Sequence, residues 1–162
     1  GKEETAFTVQ YDFVMPKRFD LSYTDNDGKE QQVVVIHRSS IGALERTMAF
    51  LIEKCAGAFP TWLAPVQVQI VPISEKHLKY GQKVLEQLLT SNVRVELDDR
   101  TETMQAKIRD AQMQKIPYML IVGDREEKEG SVAVRTRDGK NSGAMKLDKF
   151  IDKINEETKS RS

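Results

Sequence analysis

A chain of 162 residues can form one domain, or a domain with a sizeable appendage, around a core that needs no disulfide bonds. Its 25 basic and 25 acidic residues balance, so no overall positive field draws it to nucleic acid, and such contacts must come from a local patch. The single cysteine, Cys55, excludes an internal disulfide framework and favours the reducing cytoplasm, and no apolar run approaches the roughly 20 residues that span a bilayer.

The beginning of the chain carries the pattern of an antiparallel hairpin followed by one helix. Thr8–Val14 and Val33–His37 are predicted strands, and the polar stretch Tyr23–Gln31 between them predicts the hairpin turn. From Ile41 to Ala56, apolar residues recur at the three-and-four spacing of a helix with one buried face. Gly57 predicts the end of that helix, because glycine tolerates the left-handed backbone common at helix ends.

The segment Ala58–Pro65 separates two parts of the chain that differ in pattern. Pro60 and Pro65 cannot continue a helix, so this segment is expected to form a stiff, partly packed connection. The sequence therefore predicts one part over residues 1–57, a linker over 58–65 and a second domain over 66–162.

Strands and helices alternate in the second part, which predicts crossover units and a largely parallel sheet. The predicted elements are a strand at Val66–Val71, a helix at about Glu75–Leu89, a strand at Val93–Leu97, a helix at about Thr103–Gln114 and a strand at Tyr118–Val122. A charged turn, Asp124–Gly130, then leads to the strand Ser131–Arg137, and so short a link makes this last pair antiparallel. Leu147, Phe150, Ile151 and Ile154 mark a closing amphipathic helix.

Several separated motifs carry a family resemblance. Residues 37–46, HRSSIGALER, resemble the third signature motif of class II aminoacyl-tRNA synthetases in its threonyl variant, and residues 56–68, AGAFPTWLAPVQV, look like that enzyme's junction into the anticodon-binding domain. Shorter similar stretches are Val9–Phe13, Pro16–Leu21, Lys107–Arg109, Pro117–Leu120, Gly123–Glu126 and Val134–Arg137. Together they cover nearly the whole chain in the family's order, so the chain resembles the C-terminal part of a threonyl-tRNA synthetase.

This resemblance implies both a fold and a function. The fold is α/β: an anticodon-binding domain with a mixed, mostly parallel five-stranded sheet flanked by helices, preceded by an antiparallel hairpin and helix from the class II catalytic core. The full-length enzyme would join threonine to tRNA(Thr) with ATP, hold zinc and form a homodimer. This chain alone is expected to bind the tRNA(Thr) anticodon without aminoacylating and to carry neither cofactor, because the other two class II signatures do not precede Gly1. No membrane or DNA partner is expected.

Residues of the first part would belong to the synthetase active site. By resemblance, Arg46 contacts ATP, through a planar guanidinium suited to stacking on adenine or binding phosphate. Gln10, Gly42 and Ala43 would neighbour the substrates, although the family normally has serine where Ala43 stands and phenylalanine where Thr47 stands. His37 matches one of three protein ligands of a catalytic zinc, whose cysteine and second histidine ligands have no counterpart here, so this position is expected to be an orphan ligand.

Residues of the second part would read the anticodon. Single-stranded bases are recognised by hydrogen bonds to their edges, with carboxylates accepting and arginines donating. By resemblance, Glu126 and Arg135 would read the guanine and uracil shared by threonine anticodons, with Thr101, Arg109 and Lys115 nearby. The family often has asparagine in place of Thr101 and arginine in place of Lys115, and lysine lacks the planar fork of arginine.

Three other readings compete with this one. These charged residues could be ordinary surface groups, since 31% of the chain is charged. A non-catalytic accessory or regulatory protein could reuse the same domain to bind RNA or a protein partner. The related prolyl or histidyl anticodon domains share the alternating pattern, but His37 in its threonyl context argues against them.

The first part of the chain is also expected to expose apolar surface that a full-length enzyme buries.

Overall fold

The computed structural model describes residue 5 and residues 7–161. The chain divides into two compact units, Gly1–Lys54 and Cys55–Ser162. Residues 1–4, 6 and 162 fall within the predicted domain bounds but lie outside the described residues. The proline-containing segment 58–65 belongs to the second unit, where Thr61 and Ala64 are buried.

The first unit contains two small antiparallel sheets. Strand β1 (Thr8–Asp12) pairs with β4 (Val35–Ser39), as the hairpin pattern predicts. The polar stretch between them is more than a turn, because β2 (Ser22–Thr24) and β3 (Glu30–Gln32) form a hairpin of their own. The Asp25 carboxylate closes its turn by accepting hydrogen bonds from the backbone N–H groups of residues 27 and 29.

Two helices complete the first unit. The short helix α1 (Met15–Arg18) follows β1, and its Pro16 occupies the first turn, where proline's missing N–H leaves no hydrogen bond unmade. Helix α2 (Leu44–Cys55) begins three residues later than the periodicity predicts. The reason is Gly42, whose φ of +66° is incompatible with a right-handed helix.

The apolar side chains of the first unit remain exposed. Among its described residues only Pro16 is buried. Helix α2 has no buried residue, so the buried face predicted for it is wrong for this chain, and Leu44, Met48 and Ile52 on its apolar stripe are 49% to 64% exposed. Exposed apolar surface in this part of the chain was itself expected, and that expectation is confirmed.

The second unit is built on a five-stranded sheet. Its strands are β5 (Val68–Pro72), β6 (Val95–Leu97), β7 (Tyr118–Val122), β8 (Ser131–Thr136) and β9 (Asn141–Lys146), in the spatial order β6-β5-β7-β8-β9. The pairs β5–β6 and β5–β7 are parallel, and β7–β8 and β8–β9 are antiparallel, so β8 alone runs against the other four. The predicted mixed, mostly parallel sheet is confirmed.

Helices cover both faces of this sheet. The helices described for this unit are α3 (Leu78–Thr90), preceded by a 3-10 turn at Glu75–His77, α4 (Met104–Met113), α5 (Asp124–Glu129) and α6 (Leu147–Ser160). One face, here called the α6 face, packs Leu120 and Val134 of the sheet against Leu88 of α3 and Phe150 of α6. The opposite α4 face packs Val71 and Met119 against Ile108 and Ala111 of α4. Among the described residues, no helix is both long and apolar enough to cross a bilayer.

Two elements differ from the sequence prediction. The charged turn Asp124–Gly130 is the helix α5, which ends at Gly130 with a φ of +60°. Strand β9 was not located by pattern, because its sequence, NSGAMK, lacks the β-branched and aromatic residues typical of strands. It pairs with β8 through a bulge at Val134/Arg135, which Gly143 permits with a φ of +79°.

The α6 face makes a stability prediction. Phe150 is fully buried and meets the Tyr118 ring edge-on at 5.5 Å between centroids. Phe150→Ala should lower the free energy of unfolding by about 3 to 5 kcal/mol, because it leaves a cavity in a packed core. Denaturant unfolding of the variant measures this loss, with the exposed neighbour substitution Lys149→Ala as control. A loss below about 1 kcal/mol would show that the closing helix does not hold this core.

Candidate nucleic-acid interface

The carboxyl ends of the three parallel strands meet at one edge of the sheet. The loop after β5 carries Ser74 and His77, the loop after β6 carries Thr101, and the segment after β7 carries Glu126. Ligands of open α/β sheets commonly bind at such an edge, where loops from several strands converge. The structure thus places two of the predicted anticodon residues just after parallel strands, Thr101 in the loop after β6 and Glu126 in helix α5 after β7.

Glu126 is fixed by the start of helix α5. Its Oε2 atom accepts a hydrogen bond from the backbone N–H of Gly123 at 3.1 Å, which caps the helix. An added Cβ on Gly123 would lie 2.5 Å from Cδ1 of Ile73, so the end of the Ile73 side chain would have to shift to accept one. Glu126 is half-buried. One carboxylate oxygen therefore serves the fold, and Oε1 remains to accept from a ligand.

A buried histidine links the β5 loop to the same helix. The side chain of His77 is 5% exposed, its Nδ1 lies 3.1 Å from Oγ of Ser74, and its Nε2 lies 3.2 Å from Oδ1 of Asp124. A neutral imidazole suits both contacts, with the hydroxyl donating to Nδ1 and Nε2 donating to the carboxylate. That hydrogen bond is the main reason why the pKa of Asp124 lies below its ordinary value. Sequence reasoning missed this link, because its partners are 47 residues apart.

An ion-pair network holds the loop that carries Thr101. Arg100 donates two hydrogen bonds to the Asp98 carboxylate, from Nε at 2.9 Å and from Nη2 at 2.7 Å, and a third to Asp110 of α4 at 3.0 Å. Lys107 is buried and donates to the Asp98 carbonyl at 3.0 Å. Arg109, by contrast, has a side chain that is 73% exposed and lies 3.8 Å from Asp110. The network leaves Arg109 able to reach a ligand in solvent.

A groove opens between these loops. Its volume is about 380 Å³, and it is lined by residues 72–75 and Leu78 from the β5 side and by residues 99–103 and Lys107 from the β6 side. Thr101 is therefore a groove residue. The acidic Glu75, Asp99 and Glu102 line the groove beside Arg100, so the groove itself is not a basic patch.

Arg135 lies on the α4 face of the sheet. It pairs with Met119 of β7, and paired residues of an antiparallel ladder point to the same side. Its guanidinium reaches the turn after β8, where an added Cβ on Gly139 would lie 4.0 Å from Nη2. The Nε atom is buried, with no hydrogen-bond partner among the described residues. A buried N–H donor without an acceptor is uncommon in proteins, so a shift of this side chain toward an acceptor would be favourable.

Two other basic side chains of this unit, Lys115 and Arg137, are tied to the backbone instead. Lys115 follows α4 with a φ of +59° and donates from Nζ to the carbonyl of Ala56. Arg137 donates from Nη1 to the carbonyl of Phe59 at 2.6 Å. Both contacts fasten the segment before β5 to the sheet. The structure thus gives Lys115 a bond that any contact with RNA would have to replace or share.

The predicted anticodon residues do not form one cluster. Arg135 lies opposite Met119 of β7. Val122, the last residue of β7, is three residues or roughly 10 Å beyond Met119 along the strand. Glu126 comes only after Val122, in helix α5. No hydrogen bond or ion pair joins Glu126 to Arg135 in the described part of the chain. Thr101, Arg109 and Lys115 precede, occupy and follow α4 respectively. The five residues therefore border a surface that runs from the carboxyl edge across the α4 side.

The first unit brings together two of its predicted site residues. Gln10 of β1 and His37 of β4 are direct partners in the ladder, and Nε2 of His37 lies 3.1 Å from Oδ2 of Asp12. The pKa of Asp12 is lowered, first by the backbone N–H of Met15 and also by His37. The side chains of Gln10, Asp12 and His37 line a shallow open pocket.

Arg46, Gly42 and Ala43 lie at the start of α2 and just before it. Arg46 is exposed, and Gly42 donates from its backbone N–H to Oγ of Ser39 at 2.9 Å. Within the described residues, no group of three or more His, Cys, Asp and Glu side chains could hold a metal ion. One imidazole beside one carboxylate does not make a structural or catalytic zinc site, so this part of the chain does not fit zinc by itself.

The chain belongs to the anticodon-binding domain family. The family model described as "Anticodon binding domain" matches residues 67–157, which contain the whole five-stranded sheet.

The chain is similar to curated threonine–tRNA ligases. The chain is 53% identical over 154 residues to the threonine–tRNA ligase of Caldanaerobacter subterraneus subsp. tengcongensis, a match covering 95% of this chain and 24% of that protein. It is 54% identical over 160 residues to threonine–tRNA ligase 1 of Bacillus subtilis, covering 98% and 25%. The chain thus spans about a quarter of these curated relatives. The resemblance to threonyl-tRNA synthetases is confirmed.

A solved structure agrees. The RNA binding domain of threonyl-tRNA synthetase from Cryptosporidium parvum Iowa II superposes with a TM-score of 0.81 at 33% identity, covering 96% of this chain and 40% of that one. Its coverage includes nearly all of this chain, so the likeness extends beyond the anticodon-binding domain. These relatives are ligases, which supports the synthetase reading over the accessory-protein alternative.

The Asp98–Arg100 pair makes a pH prediction. The pKa of Asp98 is lowered, chiefly because Arg100 donates hydrogen bonds to it. A group with a lower pKa in the folded state stabilises the fold above its unfolded pKa and loses that contribution as pH falls through the folded value. Below about pH 4, Asp98→Asn should therefore lose stability less steeply than the wild type. Denaturant unfolding at stepped pH measures the slope, with the exposed Asp99→Asn as control. Identical slopes would refute the effect.

Proposed function

We propose that the second unit binds the anticodon loop of tRNA(Thr). The observation that carries this is the Arg135 guanidinium, whose Nε has no acceptor among the described residues and would gain one by turning toward a ligand. A nucleobase carbonyl or ring nitrogen is such an acceptor, and arginine binds guanine O6 and N7 through two parallel donors. Membership of the anticodon-binding domain family supports the same reading.

The remaining predicted residues supply complementary chemistry. Glu126 keeps Oε1 to accept from base N–H groups, while the hydroxyl of Thr101 can donate or accept at the groove. Arg109 is exposed and offers charge to the RNA backbone, and Lys115 adds a positive charge beyond the end of α4. Bases of a single-stranded loop can reach separate subsites because they are splayed out. A dispersed set of contacts therefore suits an anticodon better than a duplex.

The full-length protein is proposed to be a cytoplasmic, homodimeric threonine–tRNA ligase that uses ATP. Residues 1–57 would belong to its catalytic domain and residues 66–162 to its anticodon-binding domain, joined by 58–65. Arg46 would contact ATP there, beside Gln10, Gly42 and Ala43. His37 would be one of three zinc ligands, the others coming from outside this chain. The identity to threonine–tRNA ligases over 95% of the chain supports this assignment.

Binding to two RNA hairpins tests the proposal. One carries the anticodon arm of threonine tRNA, and the other has the guanine and uracil replaced. The wild-type chain should bind the first at least about tenfold more tightly at stated salt, since one bidentate base contact contributes about 1 to 3 kcal/mol. Arg135→Lys keeps the charge but loses the fork, and should reduce the preference. Glu126→Gln keeps a side chain that can cap the helix but loses the carboxylate, and it should also reduce the preference for the threonine anticodon hairpin.

Lys140→Ala is the matched control for charge. Lys140 is exposed in the turn between β8 and β9, and only its backbone carbonyl accepts bonds in the described contacts. Removing its charge should weaken binding to both hairpins alike and leave the ratio of the two affinities unchanged. Equal affinities of the wild type for both hairpins would disprove anticodon reading.

A further inference from the structure

We propose that His77 is a positioning residue that holds Glu126 in its RNA-reading place by anchoring the first residue of helix α5. The inference rests on the proposed function, because it assigns a supporting role to a residue that contacts no base. His77 lies in the 3-10 turn before α3, and Asp124 and Glu126 occupy the first and third positions of α5.

Helix α5 cannot position itself. It has only six residues, and none of them is buried. Helices this short are marginal in water, so their stability comes from contacts with the rest of the protein. A short helix without a buried face depends on its ends, and Glu126 lies at one of them.

Three contacts hold that end. The Glu126 carboxylate caps Gly123, the side chain of Ile73 packs against Gly123, and His77 bonds to Asp124. The first is local to the helix. The second is apolar and non-directional. The His77–Asp124 hydrogen bond is thus the directional link from the α5 start to another element.

The environment of His77 makes this link rigid. The imidazole is buried and bonded on its other nitrogen to Ser74, which follows β5. A buried ring bonded at both nitrogens has a single orientation. The Asp124 side chain, by contrast, is 87% exposed and would otherwise be free to move in solvent. The buried His77 ring therefore fixes the position of the exposed Asp124 side chain.

Substitutions of Asp124 test the proposal without disturbing the buried ring. Asp124→Ala removes the acceptor and should lower the ratio of affinities for the threonine and replaced anticodon hairpins about fivefold, as expected for one directional hydrogen bond. Asp124→Asn keeps an oxygen acceptor and should retain the wild-type ratio. Glu127→Ala removes an equal charge from the same helix and should also retain it. Thermal unfolding of all three should remain near the wild type.

Substitutions of His77 give an independent arm. His77→Ala should lose the preference, whereas His77→Gln, whose amide can both donate to Asp124 and accept from Ser74, should recover part of it. A wild-type ratio for Asp124→Ala overturns the proposal. Equal losses for Asp124→Ala and Asp124→Asn also overturn it, because the carboxylate would then act by charge. If the wild type itself shows no preference, the proposed function fails, and this inference falls with it.

Discussion

The complete burial of strand β5 is the constraint on which the second unit depends. All five of its residues are buried, and it has parallel neighbours on both sides. A strand buried on both faces requires helices above and below the sheet, which α6 and α3 supply on one side and α4 on the other. Parallel neighbours require crossover connections, so their loops all leave at the same edge. The candidate interface exists at that edge because β5 is central.

Buried polar groups at both ends of the parallel strands are held by hydrogen bonds. At the amino end of β5, away from the candidate interface, Gln67 is 1% exposed and bonds through both ends of its amide, to the Thr61 carbonyl and to the Arg94 backbone N–H. Beyond β6, Asp98 is held by Arg100 and Lys107. Buried polar groups that are satisfied in this way fix one arrangement, because any shift would leave a donor or acceptor unpaired. Loops at the edge are therefore supported from below by hydrogen bonds rather than by apolar contacts alone.

Much of this unit could be predicted from sequence for a physical reason. Strand β7 is a continuous apolar run, YMLIV, so Tyr118–Val122 has the same limits in the prediction and the structure. Strand β9 could not be found that way, because it lies at the edge of the sheet and most of its side chains are exposed. Helix α5 was mistaken for a turn because six charged or polar residues without an apolar stripe carry no helical signal. The spacing of apolar residues along the chain predicts only elements with a buried face, and helix α5 and strand β9 have little buried surface.

The candidate site was only partly predictable, and the same reasoning explains why. Glu126 and Arg135 came from family motifs, which specify residue types but not which atoms are already engaged. That Glu126 gives one oxygen to Gly123, and that Lys115 is bonded to Ala56, follows from three-dimensional contacts. His77 carries no sequence signal for its contact, because its partner Asp124 lies beyond two intervening strands. Pairing across the sheet is set by topology, so spacing along the chain could not reveal it.

The two units differ in what their own residues can sustain. The second has two apolar clusters, one on each side of its sheet, and its candidate site is supported by bonds among its own residues. In the first, Pro16 is the only buried residue among those described, and its predicted zinc ligand has one carboxylate partner. A site needs neighbours that hold its side chains in place. The RNA recognition proposed for this protein therefore uses residues of this chain, whereas the chemistry proposed for Arg46 and His37 requires surrounding residues that this chain does not supply.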